Sequence, residues 1–411
     1  MSERSAQRGG LRARLSNWGR PPRVIGIDVA RGLAIVGMMA AHMAAVPELE
    51  WSEPSTWGGI VAGRSSLLFA FLAGVSLALV ARNPRYHSDA GRARFRSELV
   101  GRALAVFAIG LICELMNTQI AIILTVYGAL FLCVIPVVWL STKRLIIVAL
   151  AFTFLGPLVV QILRIVSLEA SGSGLMLMLF NVYSLPVWFT FMVFGMIFGR
   201  LRIESIKVAA SAIVMGTFFA VVGYSAGYLG DAWLTEYQIQ IGKESKSEYE
   251  ASKDTSSKED SWDKSSAEDV SVTDEATYSD LVRESLRLTP LRAALVSSSP
   301  HSGGTLEIVG SGGFVVAVVG WCLLIARPLR WLILPIACAG SMPLTVYVVH
   351  VMSFMVLSKG PGQYFDNGST EMWAWNAAAI LVFATAWALT LGRGPLERLV
   401  SRSARAMAQG T

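Results

Sequence analysis

The sequence predicts an all-α membrane protein, a polytopic bundle of about ten transmembrane helices with both termini cytoplasmic. Three observations carry that expectation. The 411 residues are 54% hydrophobic and only 16% charged, and the mean hydropathy is +0.53. The apolar residues gather in runs of about 20, the length a helix needs to cross hydrocarbon about 30 Å thick. The short loops alternate in charge, basic (RNPRYHSDAGRARFRSE, STKR) and then acidic (PELEWSEPSTW), as the preference of Lys and Arg for the cytoplasmic side requires. The net charge of +6 therefore marks topology and excludes a nucleic-acid partner. Cys113, Cys133, Cys322 and Cys338 lie inside apolar runs without metal-ligand spacing, so they are packed thiols and no metal is expected.

In chain order, residues 1–22 carry Arg4, Arg8, Arg12, Arg14 and Arg20 with no apolar run or cleavable signal pattern, and are expected to form a disordered basic cytoplasmic tail. Seven spans follow at about 24–46, 58–81, 99–117, 119–140, 145–166, 183–199 and 208–229, making an N-terminal membrane domain over 23–230. Residues 231–277 hold so few aliphatic side chains that they cannot bury a core, and are expected to be a disordered extracytoplasmic insert. Residues 278–399 form a C-terminal membrane region, with spans eight to ten at about 307–326, 331–357 and 372–391, and 400–411 a cytoplasmic tail. From Tyr278 to Val296 leucines recur at helical spacing with arginines between them, predicting a short helix on the outer membrane surface, kinked or split at Pro290. The 331–357 stretch is too long for one straight span; Pro335 and Gly340–Pro343 predict a break. No internal repeat is evident.

Ionisable groups inside these spans are the candidate chemistry, because each costs several kcal/mol in hydrocarbon unless paired or wetted. Span one carries Asp28, Arg31 and His42. At about 100° per residue, the eleven steps from Arg31 to His42 return to within about 20°, and Asp28 falls within about 40°. The three therefore share one stripe, about 16 Å long between Arg31 and His42, with Asp28 and Arg31 placed to pair at i,i+3. Arg102 lies at the same inner depth, whereas Arg64, Glu114, His301, Glu307 and His350 lie in the outer half with His42. His42 suits a general base; a histidine bonded to a neighbouring helix for packing is the alternative. Arg64 suits an anionic or polar acceptor, or snorkels to the surface. Glu114 is placed to orient Arg64 or His42, or is solvated at a helix end. His350 follows Tyr347 by three positions, which gives a polar seam or a hydrogen-bonded core histidine. PHSGGTLEIVGSGG crowds His301, Ser302, Thr305 and Glu307 at the mouth of span eight, as a substrate entrance or as a helix start capped by Thr305. His87, in a basic loop, is solvated. No nucleophile elbow or dinucleotide fingerprint is present.

RVIGIDVARGLAIVGMMAAHM (23–43) and GRSSLLFAFLAGVSLAL (63–79) resemble the opening spans of the bacterial YeiB-like membrane proteins, relatives of the heparan-α-glucosaminide N-acetyltransferase catalytic domain. PHSGGTLEIVGSGG, GSMPLTVYVVH (340–350) and GRGPLERL (392–399) resemble segments of the same group. The Arg-x10-His spacing of Arg31 and His42 also resembles the first-span motif of the wider transmembrane acyltransferase superfamily. The resemblance makes 23–230 an acyltransferase-like domain and implies transfer of an acyl group, acetyl above all, from cytoplasmic acyl-CoA to an extracytoplasmic sugar or glycolipid of the cell envelope. The implied location is the plasma membrane. It implies Arg31 and His42 as the functional pair. The placement of the other polar groups extends this to an expected mechanism, with Asp28 beside the pair, Arg31 and Arg102 on the acyl-CoA phosphates, and Arg64, Glu114, His301, Ser302, Glu307 and His350 toward the acceptor. The lysosomal relative's proposed catalytic histidine lies in the loop after span one; PELEWSEPSTWGG contains none, so His42 takes that role. A transporter or flippase for a small anionic or glycolipid cargo is the alternative use of the same seam. Membrane lipids are partners in either case, and a homo-oligomer stays open.

Overall fold

A computed structural model describes residues 23–47, 49–50, 52–168, 184–259, 277–288, 290–299, 301–362 and 368–409. The expected tail at 1–22 lies outside them. The described residues form helices and no strand: α1 (Ile25–Met43), α2 (Arg64–Ala81), α3 (Asp89–Glu114), α4 (Leu124–Cys133), α5 (Thr142–Ser167), α6 (Leu185–Gly199), α7 (Ile206–Glu259), α8 (Tyr278–Leu288), α9 (Ala293–Val296), α10 (Thr305–Ile325), α11 (Leu334–Ser341), α12 (Pro343–Leu357), α13 (Thr370–Thr390) and α14 (Pro395–Gln409). Serines start several of them: the hydroxyls of Ser88, Ser141 and Ser369 accept from the amides of Gly91, Arg144 and Met372 at 3.1, 3.4 and 3.2 Å.

Among the described residues six helices are long and apolar enough to cross a membrane: α1, α2, α5, α7 over Ile206–Glu244, α10 and α13. Counting α11 and α12 as one broken span raises that to seven. This makes a multi-pass membrane protein, with fewer full-length spans among the described residues than the expected ten. The shortfall has local causes. Residues 119–123 are non-helical and α4 ends at Cys133, ahead of Pro136, so the expected fourth span is only 10 residues of helix. α6 is 15 residues, opened by Pro186 and ended at Gly199. α3 spends its first turns on polar residues. The expected break in 331–357 is present: α11 and α12 meet at Met342 with a bend of 94°.

The insert departs from expectation in its first half. α7 does not stop near 229 but continues to Glu259, because Lys, Glu and Ala in this stretch are good helix formers. Residues 260–276 lie outside the described part. Tyr237 Oη donates to the Arg287 carbonyl at 2.8 Å and the Arg292 guanidinium sits 4.2 Å from the Trp233 ring centre, so the α8–α9 segment is tied to α7. The amphipathic helix is split near Pro290 as expected, into α8 and α9, and α8 leaves Leu281, Leu286 and Leu288 uncovered by protein. The 400–411 tail is helical as far as Gln409, the end of α14, which buries Val400 and Ala404.

Two crossings set the core. At Gly340 an added Cβ would collide with the Asp28 carbonyl, and at Gly32 with the Ile336 carbonyl, so α11 lies backbone to backbone on α1. Gly74 and Gly195 do the same for α2 and α6, each against the other helix's carbonyl. On the outside, α5 and α7 expose Ile147, Leu155, Val214, Phe218 and Val221, an apolar surface suited to lipid.

Candidate active site

At the Arg23 end of α1, Asp28 is buried and accepts from two guanidiniums. Arg31 Nη1 donates to Oδ1 at 2.8 Å, the i,i+3 pair that helix geometry predicts, and Arg23 Nε donates to Oδ2 at 2.5 Å. Arg31 Nη2 donates to Ser76 Oγ at 2.5 Å, and that hydroxyl donates on to the Leu72 carbonyl. One guanidinium thus links the α1 carboxylate to the middle of α2. With a second cation on the carboxylate, the pair keeps net positive charge where it faces open space.

That space is a cavity of about 620 Å³ bounded by α1, α2, α3, α4, α12 and α14. Arg31, Arg102, Arg23 and Arg393 line it together with Phe69, Tyr127 and Tyr347. Arg102 makes no hydrogen bond or ion pair with protein among the described residues. The two carboxylates in the wall are already engaged. Glu98 accepts from Tyr86 Oη at 2.6 Å and Arg94 Nε at 3.0 Å, with Arg85 3.6 Å away. Burial pushes Glu98 upward, but these partners outweigh it and hold its pKa below the usual carboxylate value; burial and Glu98 raise that of Tyr86. Glu397 of α14 accepts from the amides of Leu344 and Thr345 at 2.8 and 3.1 Å and from the Thr345 hydroxyl at 2.6 Å, capping the first turn of α12. The cavity is therefore poised for anions.

At the cavity wall Tyr347 Oη accepts from the Ile123 amide at 3.3 Å. Three positions on, His350 is wholly buried, and its Nε2 lies 3.1 Å from Nδ1 of half-buried His42, with the two rings within 4° of parallel. Ser369 N donates to the Met43 carbonyl at 2.8 Å and Trp373 Nε1 to the Val36 carbonyl at 3.3 Å, so α13 closes this end of α1. Ser353 Oγ donates to the His350 carbonyl at 2.7 Å and reaches Asn376 Oδ1 at 3.4 Å.

A second polar cluster lies between α2, α7 and α10. Arg64 is buried and does not snorkel; its Nε donates to Tyr224 Oη at 2.6 Å, and that hydroxyl is 3.0 Å from Ser311 Oγ. Glu307 is buried and accepts from the amides of His301 and Gly303, both at 2.7 Å, and from Ser302 Oγ at 3.1 Å. Three donors converge on one carboxylate, which holds the loop whose His301 and Gly303 sit at φ +66° and +68°. Thr305 is not the cap: Gly304 occupies that position, and the Thr305 hydroxyl donates to the Thr153 carbonyl at 2.9 Å. The space beside this cluster is about 20 Å³.

Of the residues singled out in the sequence, the structure brings Asp28 and Arg31 together, puts Arg31 and Arg102 on one cavity, and joins His42 to His350. Arg64, His301, Ser302 and Glu307 belong to the second cluster. Glu114 is exposed and accepts from Thr125 Oγ1 at 2.9 Å; it forms no ion pair with Arg64 or His42 among the described residues. His87 is exposed. Sequence reasoning missed Ser76, Tyr224, Ser311, Asn376, Arg393 and Glu397. The only local signal for the first three was a lone hydroxyl on an apolar helix.

Comparison with curated proteins and with solved structures gave no match. The heparan-α-glucosaminide N-acetyltransferase catalytic domain matches residues 23–238, more than half of the chain and inclusive of Asp28, Arg31, His42, Arg64 and Arg102. The C-terminal resemblances at 340–350 and 392–399 fall outside that match. That match, over more than half of the chain, places it in the heparan-α-glucosaminide N-acetyltransferase catalytic-domain family.

Proposed function

We propose that the protein is a membrane acyltransferase that takes an acetyl group from cytoplasmic acetyl-CoA and delivers it to a sugar or glycolipid of the cell envelope on the far side of the plasma membrane. The observation that carries this reading is the cavity of about 620 Å³ at one end of α1, lined by Arg31 and Arg102, with a histidine pair, itself outside the cavity lining, at the other end of the same helix. Its volume is within the range of about 300–1,000 Å³ common for ligand sites. Coenzyme A brings phosphates, and guanidiniums are the side chains best suited to them. Asp28 holds Arg31 in place. The aromatic wall at Phe69, Tyr127 and Tyr347 suits the pantetheine arm.

His42 takes the proton of the acceptor hydroxyl or amine as that oxygen or nitrogen attacks the thioester carbonyl. The new C–O or C–N bond forms, the C–S bond breaks, and the thiolate leaves and is protonated. General-base assistance of this kind supplies about 10²–10⁴-fold. Inverted membrane vesicles supplied with labelled acetyl-CoA test the reading: label should pass to a lumenal glycan or glycolipid, and His42→Ala should stop it. Full-rate transfer by His42→Ala removes the assigned role. Solute uptake independent of acetyl-CoA, with no labelled product, supports transport instead.

A further inference from the structure

We infer that His350, supplied by α12 from outside the matched segment 23–238, is the positioning residue that keeps His42 in its basic tautomer by accepting a hydrogen bond from His42 Nδ1–H at its own Nε2. The inference rests on the acyl-transfer reading and adds to it a second histidine, an amide, and a role for the C-terminal half.

A neutral imidazole has one N–H and one lone pair. His42 Nδ1 and His350 Nε2 are 3.1 Å apart with rings within 4° of parallel, so one proton lies between them; two lone pairs or two N–H groups would repel. If the proton belongs to His42, its Nε2 carries a lone pair and can accept a proton from the acceptor. If it belongs to His350, His42 Nε2 carries the hydrogen and the residue cannot act as a base. The choice is made at the other nitrogen of His350.

His350 has no exposed surface, and its Nδ1 makes no hydrogen bond of standard geometry in this arrangement. The Asn376 side chain of α13 lies beside the ring, with its Oδ1 also within reach of the Ser353 hydroxyl. A buried N–H must find an acceptor, and a carboxamide oxygen is one. With the proton on Nδ1 and facing Asn376, His350 Nε2 must be a lone pair, and His42 Nδ1 must donate to it. Tautomer information therefore runs from Asn376 through His350 to His42, as second-row hydrogen bonds set the working nitrogen of histidines elsewhere.

The same bond serves the reaction. When His42 Nε2 takes the acceptor's proton, the charge on the imidazolium is shared with the neutral ring of His350 across the hydrogen bond. The departing thiolate of coenzyme A then takes that proton back, and both rings return to neutral. His350 follows Tyr347 of the cavity wall by three positions, about one helical turn; neither histidine lines the cavity itself, so a thioester arm would have to pass Tyr347 to reach the pair.

The test is acetyl transfer in vesicles by wild type, His350→Leu, His350→Gln, His42→Ala and the His42→Ala/His350→Leu pair. His350→Leu should lower kcat about 10–100-fold, a part of the general-base contribution, with KM for acetyl-CoA unchanged. His350→Gln keeps an oxygen that can accept the Nδ1 proton and should recover most of the rate. The paired variant should be no slower than His42→Ala alone, since residues acting as a unit are not additive. Full rate in His350→Leu refutes the inference, and so does a paired variant slower than His42→Ala by the whole His350→Leu factor. Equal loss in Leu and Gln variants with a raised KM also refutes it, pointing to packing alone. Loss of transfer in His42→Ala with none in His350→Leu refutes this inference and leaves the acyl-transfer reading standing. No transfer by wild type that binds acetyl-CoA overturns both.

Discussion

Two buried polar regions, one at each side of α2, look alike in the sequence and differ in what they leave over. Around Glu307 the charged groups are spent on the protein: three donors fill the carboxylate, and Arg64 is held by Tyr224. Around Arg31 the protein's own carboxylates are neutralised or used as caps, yet Arg102 still projects into open space of about 620 Å³ against about 20 Å³ at the other cluster. Buried charge alone does not make a site. Charge with unfilled valence beside unfilled volume does.

Substitutions sharpen or break that contrast, beginning with the largest effect. His42→Ala should lower acetyl transfer about 10²–10⁴-fold with unchanged yield of folded protein, read as turnover in vesicles. Gly340→Val forces a side chain into the Asp28 carbonyl and should destabilise the α1–α11 contact by about 3 kcal/mol or more, seen as loss of monodisperse protein in detergent. Glu307→Ala strands the His301 and Gly303 amides and should cost about 1–3 kcal/mol, lowering the melting temperature while KM for acetyl-CoA stays put. A raised KM without a change in melting would instead make Glu307 part of a substrate site and dissolve the contrast. Arg102→Ala should do the reverse, raising KM for acetyl-CoA about tenfold, the order of one charge-assisted phosphate contact, with stability within about 0.5 kcal/mol.

The difference between the regions also explains what could be seen in advance. The Asp28–Arg31 pair was legible because both residues share one helix, where spacing fixes geometry. The break before Pro343 was legible because Gly and Pro act locally. The depth of His42 and His350 was legible, but not their meeting, because 308 positions separate them and only the packing of α12 on α1 brings them together. Arg64 and Tyr224, 160 positions apart, were hidden for the same reason. For Glu307 the pattern left two readings open, a substrate entrance or a helix start; that the loop folds onto its own acid was not legible, because the donors are backbone amides whose direction no pattern of Ser, His and Gly records. The expected ten spans are not all seen as full-length helices among the described residues, because hydropathy does not register the non-helical residues before α4 or the stop near Pro136.

α7 has a last consequence. A helix of 54 residues is about 80 Å long, while the hydrocarbon it crosses is about 30 Å thick. About 50 Å of it is left over as a helical mast, braced at its base by α8 and α9 through Tyr237 and Trp233. For a 44.4 kDa protein otherwise hidden in a detergent micelle, such a mast is a built-in fiducial: it breaks the roundness of the particle, fixes its up and down, and offers an antibody fragment a rigid place to grip when images are aligned.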